Sequence, residues 1–208
     1  MKRTDVPVIE PFNPLDKKNL GESLTRALLE SEVSSLPPTS FIGAGVYALY
    51  YTGSFPAYEV LSTVNQDEQF LCPIYVGKAV PAGARKGGTG TEDDQGFALR
   101  NRLRDHAESI SAVSNLDISD FYCRFLVVDD IWIPLTEALL IEKYKPVWNR
   151  VLDGFGNHDP GGGRHSGKMP QWDCLHPGRS WTRNLQPCTF SPQELELRVR
   201  TYLEEALL

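Results

Sequence analysis

The sequence has few of the features that would assign it directly to a broad protein class. It has four cysteines in 208 residues, spaced far apart and without a C-x-x-C pair, which argues against a zinc ribbon or a disulfide framework. No apolar run approaches the roughly 20 residues needed to cross a bilayer, and the first residues lack the apolar core of a signal peptide. We therefore expect a cytoplasmic protein with reduced thiols and no membrane partner.

The chain also lacks an excess of positive charge, with 21 basic and 27 acidic residues. A net charge of −6 counts against nucleic-acid binding, since phosphate contacts need Lys and Arg. However, residues 78–104 carry six basic and three acidic groups, residues 143–184 carry seven and three, and residues 105–142 carry one and eight. Two basic blocks around an acidic one are typical of a polarised surface that faces phosphates and also has carboxylates for a cation. Uneven charge without any partner is the alternative.

Two short segments bounded by Gly or Pro, residues 45–51 and 74–78, are rich in aromatic and β-branched residues and predict paired β-strands. Because side chains alternate along a strand, Tyr47, Leu49 and Tyr51 share one face of the first strand. Phenols on a strand face most often pack in a core. The strands alone therefore leave open whether these tyrosines are structural or chemical.

The rest of the chain predicts helices and a third strand, which gives an α+β fold. Apolar periodicity predicts a helix before Pro37, one from about residue 95 to 110 and one from 134 to about 145, while residues 121–128 predict a buried strand. A capping box at Ser191 and Glu194 opens a C-terminal helix. We divide the chain into an N-terminal arm (1–40), a catalytic core (41–150, with insertions at 52–72 and 79–94) and a C-terminal extension (151–208), all within one compact domain.

Helical periodicity also places candidate functional side chains. On the helix over 95–110, Arg102 and His106 lie along one edge of the apolar stripe, whereas Arg104, Asp105 and Glu108 point to the opposite side. His106 could equally be a half-buried structural histidine, and Arg102 a side chain whose stem covers apolar surface.

Glu137 falls on the apolar face of the helix that begins at about residue 134. A carboxylate on an inward face is costly to ionise unless it is paired or bound to a cation. Glu137 is therefore our candidate metal ligand, and a buried glutamate paired with an arginine is the alternative.

The segments Gly45-Val46-Tyr47 and Tyr75-Val76-Gly77 resemble the paired tripeptides of the GIY-YIG nucleases, with Val in place of both Ile. Further residues match the family in the right order over about residues 45–150, and a short motif gains credibility from such context. The candidate catalytic set is Tyr47, Tyr75, Lys78, Arg102, His106, Glu137 and Asn149.

The resemblance implies a role for most of these residues. Tyr47 would orient or deprotonate the attacking water, with Lys78 as the cationic neighbour that a phenol needs near neutral pH. Arg102 would stabilise the developing negative charge, and Glu137 would hold one divalent cation, Mg²⁺ or in its place Mn²⁺. Tyr75 and Asn149 would position these groups.

Two points in this assignment stay open. The role of His106 is one of them, with a phosphate donor and a proton relay as the candidates. The other is the arginine, because the long insertions let Arg85 or Arg100 take the place of Arg102.

Contacts to DNA are expected from the flexible basic loop that follows Lys78 and from the Gly-, Trp- and Arg-rich segment over 154–186. The loop could equally be a solvated surface segment. The candidate DNA-binding residues are Arg85, Lys86, Arg164, His165, Lys168, Arg179 and Arg183.

A compact chain of this kind is most similar to a type II restriction endonuclease, the nuclease of a restriction-modification system. Such an enzyme would cut double-stranded DNA at a short palindrome as a homodimer, because one catalytic set per chain cuts one strand. The alternatives are a structure-selective repair or mobile-element nuclease of the same fold, and a non-catalytic DNA-binding protein whose tyrosines only pack.

Overall fold

The computed structural model describes residue 13 and residues 15–67, 69–81, 96–159 and 166–207. Within these ranges the chain forms an antiparallel sheet of four strands, which are β1 (Ser34–Ser35), β2 (Gly45–Tyr51), β3 (Tyr75–Ala79) and β4 (Phe121–Val127). The strand order is β1-β4-β2-β3, so the first predicted strand, β2, lies between the other two predicted strands. The predicted α+β class is confirmed.

Seven α-helices surround the sheet in the described part of the chain. They are α1 (Lys17–Glu30), α2 (Glu59–Asn65), α3 (Ala98–Ser111), α4 (Ile133–Tyr144), α5 (Val147–Arg150), α6 (Gln171–Leu175) and α7 (Pro192–Leu207). Short 3₁₀ turns occur at Pro56–Tyr58, Ile118–Asp120, Asp130–Trp132 and Ser180–Asn184. None of the described helices is both long and apolar enough to span a bilayer.

Strand β2 is buried along its whole length because helices cover both faces of the sheet. Tyr47, Leu49 and Tyr51 belong to the core on the face covered by α3, α5, α6 and α7, and Val46, Ala48 and Tyr50 belong to the core under α1 and α4. The predicted alternation is therefore correct.

The start of α7 follows the predicted capping box. The Ser191 backbone N–H donates to Glu194 Oε2 at 2.7 Å, and the Glu194 N–H donates to Ser191 Oγ at 3.3 Å. Leu195, Val199 and Leu203 of α7 are buried within this chain, so the helix closes the core from the sheet face that carries Tyr47.

The predicted insertion at 52–72 is part of the folded core. It contains the turn at Pro56–Tyr58 and helix α2, and it buries Tyr58 and Leu61. Asn65 links the two ends of this insertion. Its side-chain amide donates to the Tyr51 and Cys72 carbonyls, and its Oδ1 accepts from the Cys72 N–H. The second insertion, 79–94, lies mostly outside the described residues.

Candidate active site

A cleft of about 620 Å³ brings together side chains from four elements. Tyr47 comes from β2, Tyr75 and Lys78 from β3, Arg102 from α3 and Glu137 from α4. The lining residues are Tyr47, Tyr75, Lys78, Ala79, Val80, Ala98, Asn101, Arg102, Asp105, Glu137 and His158. The structure thus gathers five of the seven candidate catalytic residues around one space.

His106 lies directly behind the cleft and contacts Tyr47. The Tyr47 hydroxyl and His106 Nε2 are 2.5 Å apart, and the imidazole stacks on the Phe155 ring with centroids 4.5 Å apart. Burial, followed by the nearby Arg102 charge, holds the pKa of His106 well below its ordinary value. The imidazole is therefore neutral at pH 7, and its Nε2 lone pair can accept a hydrogen bond from the Tyr47 hydroxyl.

Tyr47 is a neutral phenol in this environment. Burial, and after it the neighbouring Tyr75, raises the pKa of Tyr47 well above its ordinary value, although the Arg102 charge acts in the opposite direction. The cation that acts on Tyr47 is thus Arg102, whereas the predicted neighbour Lys78 pairs with Glu137. The expected lowering of the pKa of Tyr47 by a cation is outweighed by desolvation.

Arg102 is fixed in the cleft by a loop that follows α5. Its Nη2 donates to the Gly156 carbonyl at 2.9 Å, and its Nη1 contacts His158 Nε2. Arg100, the alternative considered above, bonds instead to the Asn101 side chain. Among the described arginines it is Arg102 that lines the cleft.

Glu137 and Lys78 form an ion pair across the cleft, with 2.7 Å between Oε2 and Nζ. The Glu137 side chain is 21% exposed and its partner is a lysine, whereas the alternative was a buried glutamate paired with an arginine. The ion pair holds the carboxylate in the cleft.

The donor set in the cleft fits a cation that is shared with a bound phosphate. Mg²⁺ is held by one or two carboxylates together with substrate phosphates and water. The cleft offers the carboxylates of Glu137 and Asp105, and the described residues contain no cluster of three metal-ligating side chains. Glu137 can therefore supply one ligand, but the described residues do not form a complete cage.

The position of Asp105 on α3 differs from the prediction. We expected it to point away with Arg104 and Glu108, but it lines the cleft. Arg104 does lie outside, where it bonds to Glu108 at 3.5 Å. Asp105 nevertheless also lies near Arg104, with 3.9 Å between Oδ1 and Arg104 Nη2.

Asn149 lies outside the cleft and is hydrogen-bonded to β3, the strand that carries Tyr75. Its Oδ1 accepts from the Val76 N–H, and its Nδ2 donates to the Val76 carbonyl, both at 2.9 Å. The side-chain amide thus pairs with β3 as a further strand would.

The two motif glycines allow close approaches that a side chain would prevent. A Cβ at Gly77 would lie 2.6 Å from Cζ of the Tyr47 ring, and one at Gly45 would collide with the Leu126 carbonyl oxygen. Gly77 therefore leaves room for the Tyr47 phenol across the strand pair, and Gly45 lets β2 lie against β4.

A family model, described as the Eco29kI GIY-YIG domain, matches residues 39–203 of the sequence. This chain belongs to that family. The family is one of type II restriction endonucleases, so the recognition from the two tripeptides is confirmed and the fold is that of a GIY-YIG nuclease. No curated protein gives a significant match to the sequence.

In this GIY-YIG domain the predicted DNA-binding residues occupy different environments. Lys168 and Arg183 are exposed, and Lys168 Nζ donates to Thr189 Oγ1. Four others fall outside the described residues, namely Arg85, Lys86, Arg164 and His165.

The structure differs from the prediction that Arg179 is a DNA-binding residue, because this side chain is buried and has its hydrogen bonds satisfied within the protein. It forms an ion pair with Asp173, its guanidinium lies between the Trp172 and Trp181 rings, and it donates to three backbone carbonyls. It is therefore a structural residue, and the burial of its guanidinium argues against the predicted contact with DNA. The basic composition of the segment predicted exposure, but tertiary contacts fold this arginine inward.

Sequence reasoning missed Phe155, Gly156 and His158. They follow the GIY-YIG core in a segment without helical or strand periodicity. The sequence contains no signal that would have selected them, apart from the titratable side chain of His158.

Proposed function

We propose that this GIY-YIG nuclease is a sequence-specific endonuclease of double-stranded DNA, a type II restriction enzyme that acts in the cytoplasm. It hydrolyses phosphodiester bonds with a single divalent cation, Mg²⁺, which Mn²⁺ can replace. The observation that supports this proposal is the convergence of Tyr47, Tyr75, Lys78, Arg102 and Glu137 on one cleft. Phosphodiester hydrolysis needs a base, positive charge at the phosphoryl group and help for the leaving oxygen, and this set contains a group for each.

Arg102 binds the scissile phosphate in this proposal. Two of its terminal N–H groups are engaged by Gly156 and His158, and a guanidinium has five donors in a fixed plane. The remaining N–H groups can therefore contact phosphate oxygens in one orientation, and they stabilise the charge that grows on them during attack.

Tyr47 positions the attacking water and takes part in removing its proton. Because the phenol is neutral, it can accept a proton from water only if it passes its own proton to His106 Nε2, 2.5 Å away. A positively charged His106 is disfavoured by burial and by Arg102, so the proton returns to Tyr47 as the phenol releases to solvent the proton it took from the water. The leaving oxygen takes up a proton from solvent, which balances the hydrolysis. This assigns His106 the role of proton relay.

Glu137 would hold the divalent cation, and Lys78 holds the carboxylate in place through their ion pair. The cation, when bound, supplies Lewis-acid stabilisation of the phosphate and leaving oxygens. Lys78 Nζ, which is part of the ion pair with Glu137, provides a second positive charge at the substrate end of the cleft. Tyr75 closes the cleft beside Tyr47, its ring centroid 6.2 Å away.

We further propose a homodimer acting on a short palindrome, since each chain has one catalytic cleft and cuts one strand. Sedimentation of the protein on a DNA duplex that contains its site tests this proposal. A complex with one protein chain that still cuts both strands in a coordinated way would contradict it.

Incubating supercoiled plasmid with the protein and Mg²⁺ tests the proposed function. Discrete linear fragments are expected, and they should disappear when EDTA removes the cation or when Glu137 is replaced by Gln. Cutting that is confined to branched DNA would instead indicate a repair or mobile-element nuclease. Binding without any cutting would indicate a DNA-binding protein that has lost catalysis.

A further inference from the structure

Arg102 is held in place by a loop that lies outside the GIY-YIG motif. Residues 154–158 follow α5, and two of them accept hydrogen bonds from Arg102. The Gly156 carbonyl accepts from Nη2 and the His158 imidazole accepts from Nη1. The loop therefore engages both terminal nitrogens of the guanidinium, and Arg102 itself lines the cleft.

The loop is packed tightly against the cleft wall. A Cβ at Gly156 would lie 3.0 Å from the Tyr75 hydroxyl and 3.1 Å from Arg102 Nη2. Phe155, the preceding residue, is buried and stacks on His106. Phe155 and Gly156 thus lie in fixed positions beside Tyr75, Arg102 and His106.

Arg179 fixes the same loop from the opposite side. Its guanidinium donates to the carbonyls of Gly154, Phe155 and Asn157 at 2.9 to 3.1 Å, and its own position is set by the ion pair with Asp173. The backbone is therefore restrained up to the residue that precedes His158.

A guanidinium is always charged and only donates hydrogen bonds. His158 can accept from it only through the lone pair of a neutral imidazole, with the proton on Nδ1. We propose that His158 is a positioning residue for phosphodiester cleavage, which orients the Arg102 guanidinium toward the scissile phosphate. The proposal rests on the nuclease function proposed above.

Two substitutions at His158 test the proposal in single-turnover and steady-state cleavage. His158→Ala should lower kcat about 10- to 100-fold with little change in KM, because a misplaced charged donor loses stabilisation of the transition state but not general binding. His158→Gln retains an acceptor and should restore the rate to within about threefold of wild type. His158→Ala at the wild-type rate, or His158→Gln no better than alanine, would overturn the proposal.

Asn157→Ala is the matched control, since Arg179 contacts the Asn157 backbone carbonyl and that group is retained. It should cleave at the wild-type rate. A loss equal to that of His158→Ala would mean that any change in the loop slows cleavage, and would overturn a specific role for His158.

A double-mutant cycle shows whether His158 acts through Arg102. In an Arg102→Lys background, which retains a positive charge but not the planar donor set, His158→Ala should change the rate by less than about twofold. If His158→Ala lowers the cleavage rate in the Arg102→Lys background as much as it does in the wild-type background, His158 acts independently of Arg102 and the proposal fails.

The side-chain ¹⁵N spectrum of Arg102 gives a readout that needs no cleavage. In the wild-type protein its Nη resonances should be separate because rotation of the guanidinium is restricted, and in His158→Ala they should merge while those of Arg179 stay unchanged. Unchanged Arg102 resonances would overturn the proposal. A wild-type protein that shows the restricted Arg102 but cuts no DNA would instead refute the proposed function.

Discussion

At the scale of single residues, the hydroxyl of Tyr47 is the group whose removal tests the site most directly. Tyr47→Phe keeps the ring in the core but removes the proton shared with His106. Cleavage should fall by about 100- to 10,000-fold, the usual contribution of an acid–base group. The free energy of unfolding should fall by about 1–3 kcal/mol, because the buried imidazole loses its partner.

Tyr50→Phe is the matched control on the same strand. Tyr50 is buried on the opposite face of β2, and its hydroxyl has no hydrogen-bond partner among the described residues. Cleavage and the free energy of unfolding, measured by urea denaturation, should both stay at wild-type levels. Equal losses in the two variants would contradict a specific role for Tyr47.

The buried imidazoles of His106 and His176 predict how stability depends on pH. Burial lowers the pKa of His176 to about 3 and the pKa of His106 well below its ordinary value. As the pH falls below about 6.5, the unfolded chain takes up protons that the folded chain does not, so stability is lost on acidification. Urea denaturation between pH 7 and pH 5 should show a loss of up to roughly 1.4 kcal/mol per pH unit for each histidine.

His106→Gln isolates the contribution of His106 to the dependence of stability on pH. The glutamine cannot titrate, so the dependence on pH should become about half as steep in the same range. A wild-type stability that is flat from pH 7 to pH 5 would show that the imidazoles are not buried in neutral form.

At the scale of secondary-structure elements, the pairing of β2 with β3 sets the position of the Tyr47 phenol. Tyr47 lies opposite Gly77 in this pair. Gly77→Ala would bring a methyl group to 2.6 Å from the Tyr47 ring and should cost about 1–3 kcal/mol of stability, as overpacking does. Cleavage should fall about 100-fold through displacement of the phenol.

Gly21→Ala provides the comparison in a different element. Gly21 lies in α1, and a Cβ there would make an ordinary contact of 3.6 Å with Leu139. Thermal unfolding should show a gain of about 0.5–1 kcal/mol, because alanine is the better helix former, and cleavage should not change. A destabilised Gly21→Ala variant would show that the space beside α1 is smaller than the structure indicates.

At the scale of the whole molecule, Arg179 connects the C-terminal extension to the catalytic cleft. Arg179→Met would leave the Asp173 carboxylate and three carbonyls buried without their partner. The expected loss is about 3–5 kcal/mol of stability, the cost of breaking a buried ion pair on one side. Chemical denaturation measures it.

Arg183→Met is the control for this substitution. It removes the same charge from an exposed position in the same segment, so its effect on stability should stay within about 0.5 kcal/mol. Similar stabilities for the two variants would contradict the structural role of Arg179.

The sequence by itself determined the α+β fold, the two faces of β2, the capping box of α7 and the family. These features depend on local periodicity, local hydrogen bonds and the order of short motifs, which the chain carries in its own residue spacing. Even the edge of α3 that bears Arg102 could be read from its angular positions.

Only the tertiary structure decided which charged groups meet. It placed Arg179 in the interior, paired Lys78 with Glu137, and brought Gly156 and His158 onto Arg102 from a segment without periodicity. It also showed that burial outweighs the nearby cation at Tyr47. The physical reason is that desolvation and charge pairing depend on neighbours that are distant in sequence, and residue spacing does not encode those contacts.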